Sequence, residues 1–403
     1  MSPEIRHLLL LCCGVAGYLV LLATNPIRSS LRDGFRCMKR YPALWTTLAV
    51  FGLCYALFQL ALRLLEFNVL PEGDRPVWQW SRPWFLPHAD LVSIARTSVL
   101  PAIEGVSGIF NNVITTFPFS ALAALLLLVN WQGHHVVLNR ALRKRFGVNG
   151  WWIYTAITIC AVAAVAKPIV SYFALPSLAQ HVPGAPLLAA ASIVDWLSFL
   201  FEYLFGVCIQ IYLILLVYVW VRGLQFTREH LLDFAIRRFS AVMKWTAIVM
   251  ALSTVFLYGP LILSSIVPNS FFVSGPNVVQ YVDRVARPLL ALFLLAFCTL
   301  QITLTFHSES LRRAMKDHFK FLRKNAVTLG WFLAIAFIHF YAFSFLNGIL
   351  TYGLGEGTAE GILWQIAAPI LQAFIAGWML ASWVCVFRRA DTGRSQHENW
   401  IAF

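Results

Sequence analysis

The sequence predicts an all-helical protein that crosses a membrane about nine times. Three observations support this prediction: the composition, the length of the apolar runs, and the basic segments between those runs. Hydrophobic residues make up 59% of the 403 residues and charged residues only 12%, whereas a soluble domain carries about 25% charged residues. The 15 Trp and 32 Phe residues suit helices whose aromatic side chains anchor them at membrane interfaces.

A membrane-spanning helix needs roughly 20 mostly apolar residues. Apolar runs of about this length recur through the chain and are separated by short polar or basic segments. The predicted spans cover about 7–24, 43–65, 110–131, 151–175, 191–221, 245–267, 287–306, 326–350 and 361–387.

The Lys and Arg residues orient these spans. Of the 31 Lys and Arg residues, 23 lie in alternate connecting segments and 4 in the opposite ones. Basic loops stay in the cytoplasm, so we predict a bacterial-type inner membrane, an external N-terminus and a cytoplasmic tail over 388–403. The basic segments are 25–42, 132–150, 222–244, 307–325 and 388–403, and the opposite segments are 67–109, 176–190, 268–286 and 351–360.

This assignment makes residues 1–403 one transmembrane domain, with 67–109 as an external loop rich in Trp and Pro. The net charge of +13 is then mainly a signal of topology. Nucleic-acid binding is the alternative for a basic chain, but it is not predicted because the bases are spread over loops between spans.

The four internal basic segments share a loose pattern. An apolar residue is followed by a small residue three positions later, by an apolar or aromatic residue at four, and by a base at five. The first three positions form one helical stripe and the base falls outside it. The pattern predicts four repeated units of span, basic amphipathic helix and span, followed by a final span. The starting positions are Leu31, Leu138, Leu232 and Leu311.

Two interpretations of the basic helices are open. In the first, they only obey the charge rule and lie at the cytoplasmic interface with their charged ends in water. In the second, they form a surface for anionic lipid headgroups or an acidic partner, each base contributing about 1 kcal/mol near an anionic membrane. The predicted headgroup contacts are Arg36, Arg143, Arg237, Arg312, Lys316 and Lys320.

A family resemblance rests on residues 35–45, which read Phe-Arg-Cys-Met-Lys-Arg-Tyr-Pro-Ala-Leu-Trp. This stretch resembles the beginning of spans in the multi-pass membrane domain attached to some bacterial glycerophosphodiester phosphodiesterases, and in its stand-alone relatives. Residues 322–326 echo it. The resemblance implies a membrane module. It does not carry over the phosphodiesterase activity, because no phosphodiesterase domain is present in the sequence.

Charged and polar residues inside the spans are a second group of candidates, because such residues are costly in a membrane. Their positions along the predicted spans put them in the outer half, and a Lys167–Glu202 ion pair is expected between neighbouring spans. The cluster forms either an outward-facing polar cavity, such as a proton or solute path, or a set of structural pairs. Its members are Lys167, Asp195, Glu202, His339, Arg63 and Glu66.

Three classes of function remain open at this point. The first is a non-catalytic membrane module, a scaffold or accessory subunit, with membrane lipids and other membrane subunits as its expected partners. The second is a secondary transporter for a small solute that uses the outer polar cluster. The third is an intramembrane enzyme, ranked last because the sequence has no paired catalytic groups at the cytoplasmic face. The sequence predicts no catalytic residue, metal ligand or cofactor site, since neither H-E-x-x-H nor G-x-S-x-G occurs.

The orientation can be tested with single cysteines in a cysteine-free background. Cysteines at Gln180 and Gly355 should react with an impermeant thiol reagent on intact cells, because both positions lie in predicted outer loops. A cysteine at Asn139 should stay unlabelled until the cells are opened. The reverse labelling pattern would overturn the orientation.

Overall fold

The structure is a computed structural model in which every described element of regular structure is a helix. The described residues are 3–42, 45, 46, 49, 53, 56, 57, 60, 91–111, 193–197, 200, 211, 214–220, 228–266, 278, 280–306, 310–354 and 359–390. The helices are α1 (Pro3–Thr24), α2 (Arg28–Arg40), α3 (Leu91–Thr97), α4 (Val99–Asn111), α5 (Arg228–Ser253), α6 (Gly259–Ile266), α7 (Arg287–Ala296), α8 (Leu300–Phe306), α9 (Leu311–Leu354) and α10 (Ala359–Ala390).

Three described helices are long and apolar enough to cross a membrane, and a bent pair could make a fourth. The membrane class is therefore supported, while nine spans and four repeated units stay predictions. The predicted span 151–175 lies wholly outside the described residues, and of 110–131 only the first two residues are described. The spans 43–65 and 191–221 are described only in part. The three single segments are Ala241–Leu263, Leu311–Thr351 and Glu360–Ala390.

Helices α9 and α10 run antiparallel. As the residue number increases along α9, the number of its contact partner in α10 decreases. The pairs are Phe321 with Phe387, Phe332 with Trp383, and Asn347 with Trp364. A buried ring cluster of Phe110, Phe332 and Trp383 then joins α4 to both helices, with ring centroids 4.9 to 6.0 Å apart. This cluster lies in the core of the described bundle.

Helix α4 lies almost wholly within segment 67–109, which the sequence predicts to be external. The described part of that segment, from residue 91 onward, is helical. Ala102, Val106 and Ile109 are fully buried in the core shared with α9 and α10. Helix α4 begins at Val99, eleven residues before the third predicted span. The apolar spacing of these three residues gives it a core-facing stripe.

Helix α9 covers most of the predicted basic segment 307–325 and all of the predicted span 326–350, and a kink at Asn325 divides it into two helical parts. The part after the kink, residues 326–354, has a helical rise of about 44 Å, which exceeds the roughly 30 Å of a bilayer's hydrocarbon core. Asn325 departs from helical geometry at φ −121° and ψ 23°. Its side-chain amide donates to the Phe321 carbonyl at 3.2 Å. The kink therefore separates the basic first part of α9 from its apolar second part.

The predicted span 287–306 is bent, because two helices meet within it. Helix α7 ends at Ala296, and α8 begins at Leu300 with its axis bent by 43°. A backbone break at membrane depth must be enclosed by protein or face water. Cys298 and Thr299 in this break are both buried, so protein encloses it.

Two π-helical turns interrupt the bundle elsewhere, at Thr254–Tyr258 and Val282–Ala286, and they lie next to each other. Each turn ends two residues before a proline, Pro260 in one case and Pro288 in the other. Proline has no N–H and crowds the carbonyl four residues earlier. A wider π turn relieves that crowding without ending the helix.

Helix α2 forms where polar side chains end α1. The Asn25 side-chain amide donates to the carbonyls of Leu21 at 2.8 Å and Leu22 at 2.9 Å. It thereby satisfies acceptors that the helix end leaves open. Pro26 follows and prevents α1 from continuing. The chain then turns into α2, which packs along the C-terminal part of α10.

Gly34 permits the close contact between α2 and α10. A Cβ atom at Gly34 would lie 2.7 Å from the Ser382 backbone nitrogen and 2.8 Å from its Cα. The obstruction is backbone, which cannot rotate away. Small residues at such crossings let helices in membranes approach closely.

We therefore expect Gly34→Ala to lower the free energy of unfolding by about 1–3 kcal/mol, the cost of overpacking a well-packed site. Gly330→Ala in α9 is the matched control, because nothing lies within 4 Å of a Cβ atom at that position. The control should be neutral or stabilising by up to about 1 kcal/mol, since alanine favours helix over glycine. Thermal unfolding of the purified protein in detergent measures both, and equal midpoints would contradict the packing argument.

Candidate functional site

The first part of the candidate site is the exposed face of α2. Leu31, Gly34 and Met38 are buried against α10. All five bases of the helix lie within an arc on the opposite side and are exposed. Phe35 lies at the edge of this arc, is 46% exposed and touches the Trp378 ring. The bases are Arg28, Arg32, Arg36, Lys39 and Arg40.

The first part of α9 repeats this arrangement. Ala314 and His318 are fully buried, and all six bases between residues 311 and 324 are exposed. Phe319 lies at the edge of their arc and is 55% exposed. The helical period therefore sorts apolar from basic residues here as the sequence predicted. The bases are Arg312, Arg313, Lys316, Lys320, Arg323 and Lys324.

Both basic faces lie at the same end of the bundle, where α10 ends. Phe321 of α9 packs on Phe387 of α10 with ring centroids 4.8 Å apart. Arg389 of α10 is ion-paired to Asp33 of α2 and donates to Ser30 Oγ at 3.2 Å. Trp378 Nε1 donates to the Leu31 carbonyl at 3.0 Å. We call the eleven exposed bases of α2 and α9 the basic surface.

The structure places four predicted headgroup contacts on the basic surface, namely Arg36, Arg312, Lys316 and Lys320. Arg143 lies outside the described residues. Arg237 is described only in its backbone, within α5.

Of the predicted intramembrane cluster, the structure describes His339 and Asp195. His339 is buried in α9, where its Nδ1–H donates to the Ile335 carbonyl at 2.7 Å and its Nε2 accepts from the Tyr18 hydroxyl at 2.5 Å. Its ring also meets Trp378 edge to face at 4.9 Å. His339 therefore connects α1, α9 and α10.

Asp195 lies in the helical residues 193–197. Its neighbour Trp196 donates from Nε1 to Thr254 Oγ1 at 3.1 Å, next to a π turn. The remaining cluster members, Lys167, Glu202, Arg63 and Glu66, lie outside the described residues, so the Lys167–Glu202 pair stays a prediction.

An ion-paired group that the sequence did not single out joins α4 to α7. Arg287 donates from Nε to Glu104 Oε1 at 2.9 Å and from its terminal nitrogen to Oε2 at 3.0 Å. A third contact reaches Asp283 at 3.2 Å. Glu104 was assigned to the outer loop and Arg287 to the edge of a span. The one sequence feature that could have indicated this pair is Glu104 itself, a single acid within the apolar run 99–111.

His318 is the second residue that the sequence did not single out. It bridges the break between α7 and α8: its Nε2–H donates to the Ala296 carbonyl at 2.9 Å, and its Nδ1 accepts from the Thr299 hydroxyl. The freed carbonyl at the end of α7 is therefore paired inside the protein. His318 belongs to the first part of α9, so it also ties the basic surface to the core.

No group of three or more His, Cys, Asp or Glu side chains within the described part of the chain is placed to hold a metal ion. The chain matches no family model, no curated protein and no solved structure. The arrangement at the site itself is therefore the basis for a functional proposal.

The role of His318 can be measured by a double-mutant cycle with Thr299. Replacing His318 by Leu should destabilise the protein by about 1–3 kcal/mol for each buried polar group that loses its partner. Thr299→Val removes one of those groups, so the double variant should lose less stability than the sum of the single losses. Strictly additive losses in thermal unfolding would mean that the two side chains do not depend on each other.

Proposed function

We propose that this protein is a non-catalytic multi-pass membrane module that binds anionic lipid headgroups through the basic surface. The observation that carries the proposal is the burial of the apolar face of α2 and of α9 with all eleven bases left exposed. Both helices lie at one end of a bundle that contains apolar helices long enough to cross a membrane.

Electrostatics favours an anionic partner for this surface. Asp33 is engaged by Arg389 and lies 3.9 Å from Arg36, so one acid compensates only part of the charge on α2. Like charges held close together repel one another, and a partner of opposite sign relieves that repulsion. An anionic membrane attracts each such base by about 1 kcal/mol. Salt screens this attraction beyond a Debye length from the membrane surface.

The exposed aromatic rings favour a membrane interface over a soluble acidic partner. Phe35 and Phe319 each flank a basic arc with much of the ring uncovered. Helices that lie in the headgroup region place apolar rings toward the acyl chains and bases toward the phosphates. The same arrangement lets the apolar stems of Lys and Arg stay buried while the charges reach the headgroups.

We further propose that the basic surface faces the cytoplasm of a bacterial-type inner membrane and that the module serves as a scaffold or accessory subunit. The excess of bases in alternate connecting segments supports that orientation. The resemblance of residues 35–45 to a known membrane module is compatible with it.

The test is lipid binding by the purified full chain. Changing Arg312, Lys316 and Lys320 together to Gln should weaken phosphatidylglycerol binding by about 3 kcal/mol, from about 1 kcal/mol for each base, which is roughly a hundredfold. Titration of delipidated protein with phosphatidylglycerol, followed by native mass spectrometry, measures this change.

Two controls make the result specific. The charge-preserving variant Arg312→Lys, Lys316→Arg, Lys320→Arg should bind like the wild type, because an anionic surface attracts either base. Arg96→Gln with Arg284→Gln removes exposed bases outside the basic surface and should have a small effect. Unchanged phosphatidylglycerol binding in the Gln triple variant would leave the basic helices with a topological role only. Preferential capture of an acidic protein over the lipid would point to a protein partner.

A further inference from the structure

A cavity of about 320 Å³ with both polar and apolar lining lies far from the basic surface, toward the other end of α9. Residues of α3, α4, α9 and α10 line this half-open cavity, and its volume falls at the lower end of the range for small-molecule pockets. The lining includes Ser98, Glu104, Phe340, Asn347 and Gln372. None of these residues is shared with the basic surface.

Two glycines let the helices around the cavity approach closely. A Cβ atom at Gly105 would lie 2.5 Å from Cδ1 of Phe340, and one at Gly348 would lie 2.7 Å from Cγ2 of Ile94. Helices α3 and α4 therefore contact α9 directly at both positions.

The charge beside the cavity is negative. Glu104 lines it, while Arg287 and Asp283 complete the ion-paired group. Arg287 binds both carboxylate oxygens of Glu104, and Asp283 lies outside the lining beside the exposed base Arg284. The charge that faces the cavity is therefore that of Glu104, the one ionisable side chain among the described lining residues. The nearby base Arg96 is exposed on the face of α3 opposite the buried Ile94. A cation is therefore favoured over an anion.

The remaining lining supplies complementary contacts. Phe340 and Phe343 offer aromatic rings, whose faces attract cations. Asn347 accepts a hydrogen bond from Trp364 Nε1 at its Oδ1, at 2.9 Å. That bond fixes the amide orientation and leaves the Asn347 Nδ2 group as a donor. A ligand atom that meets this amide should be a hydrogen-bond acceptor.

We propose that this cavity binds a small organic ammonium compound that also carries a hydroxyl or carbonyl oxygen. The ammonium group lies toward Glu104 and the aromatic rings, and the oxygen accepts from Asn347. Ser344 and Gln372 line the same space and add polar contacts. This site is independent of the lipid-binding function proposed above.

The test compares three two-carbon probes of similar size on the full chain in detergent: ethanolamine, ethylene glycol and glycolate. Ethanolamine should raise the melting temperature saturably by a few degrees, because a ligand that binds only the folded state stabilises it. Ethylene glycol and glycolate should produce no saturable shift. A wild-type protein that does not respond to ethanolamine, or that responds equally to glycolate, would overturn the proposal.

Opposite charges at Gln372 provide the matched variants, because this half-buried side chain lines the cavity. Gln372→Glu should bind ethanolamine more tightly in calorimetric titration, and Gln372→Lys should abolish binding by placing a resident ammonium group there. Equal affinity in the two variants would place the ethanolamine elsewhere and refute the site. The Gln triple variant of the basic surface should bind ethanolamine normally, so failure of the lipid proposal and failure of this one are distinguishable.

Discussion

Close packing against α10 is the constraint on which the described part of the molecule depends. Apolar residues surround this helix over 376–387, and most of them are buried. A helix that is apolar on all sides is stable only when other helices cover it. Helix α2 covers it on one side through Gly34, and α4 and α9 cover it through the ring cluster at Trp383. The position of the basic surface follows from these contacts.

The sequence predicted the features that depend on local periodicity. The spacing of Leu31 and Gly34 placed one stripe of α2 inward and Arg36 outward, and the same period placed Ala314 inward and Lys316 outward. Charge density and apolar length likewise indicated membrane-crossing helices, and the three long helices support that class. These properties need only neighbouring residues, so one sequence is enough to predict them.

Features that depend on distant residues were not predictable in the same way. The Glu104–Arg287 pair joins positions 183 residues apart, and neither residue alone indicates its partner. The break after Ala296 contains no proline or glycine that would predict it, and His318 of α9 supplies the compensating hydrogen bond. The π turns are an intermediate case. Pro260 and Pro288 were visible in the sequence, but proline can end, kink or widen a helix, and the packing decides which.

The two buried histidines of α9 connect this helix to its neighbours. His318 and His339 each use both ring nitrogens, one as donor to a backbone carbonyl and one as acceptor from a hydroxyl. A single neutral tautomer satisfies both contacts in each case, so neither ring has a nitrogen left for a ligand. Within the described part of the chain, the polar groups that we propose to meet partners lie toward the two ends of α9, on the basic surface and in the cavity. Both ends belong to α9, whose basic first part and apolar second part meet at the kink at Asn325.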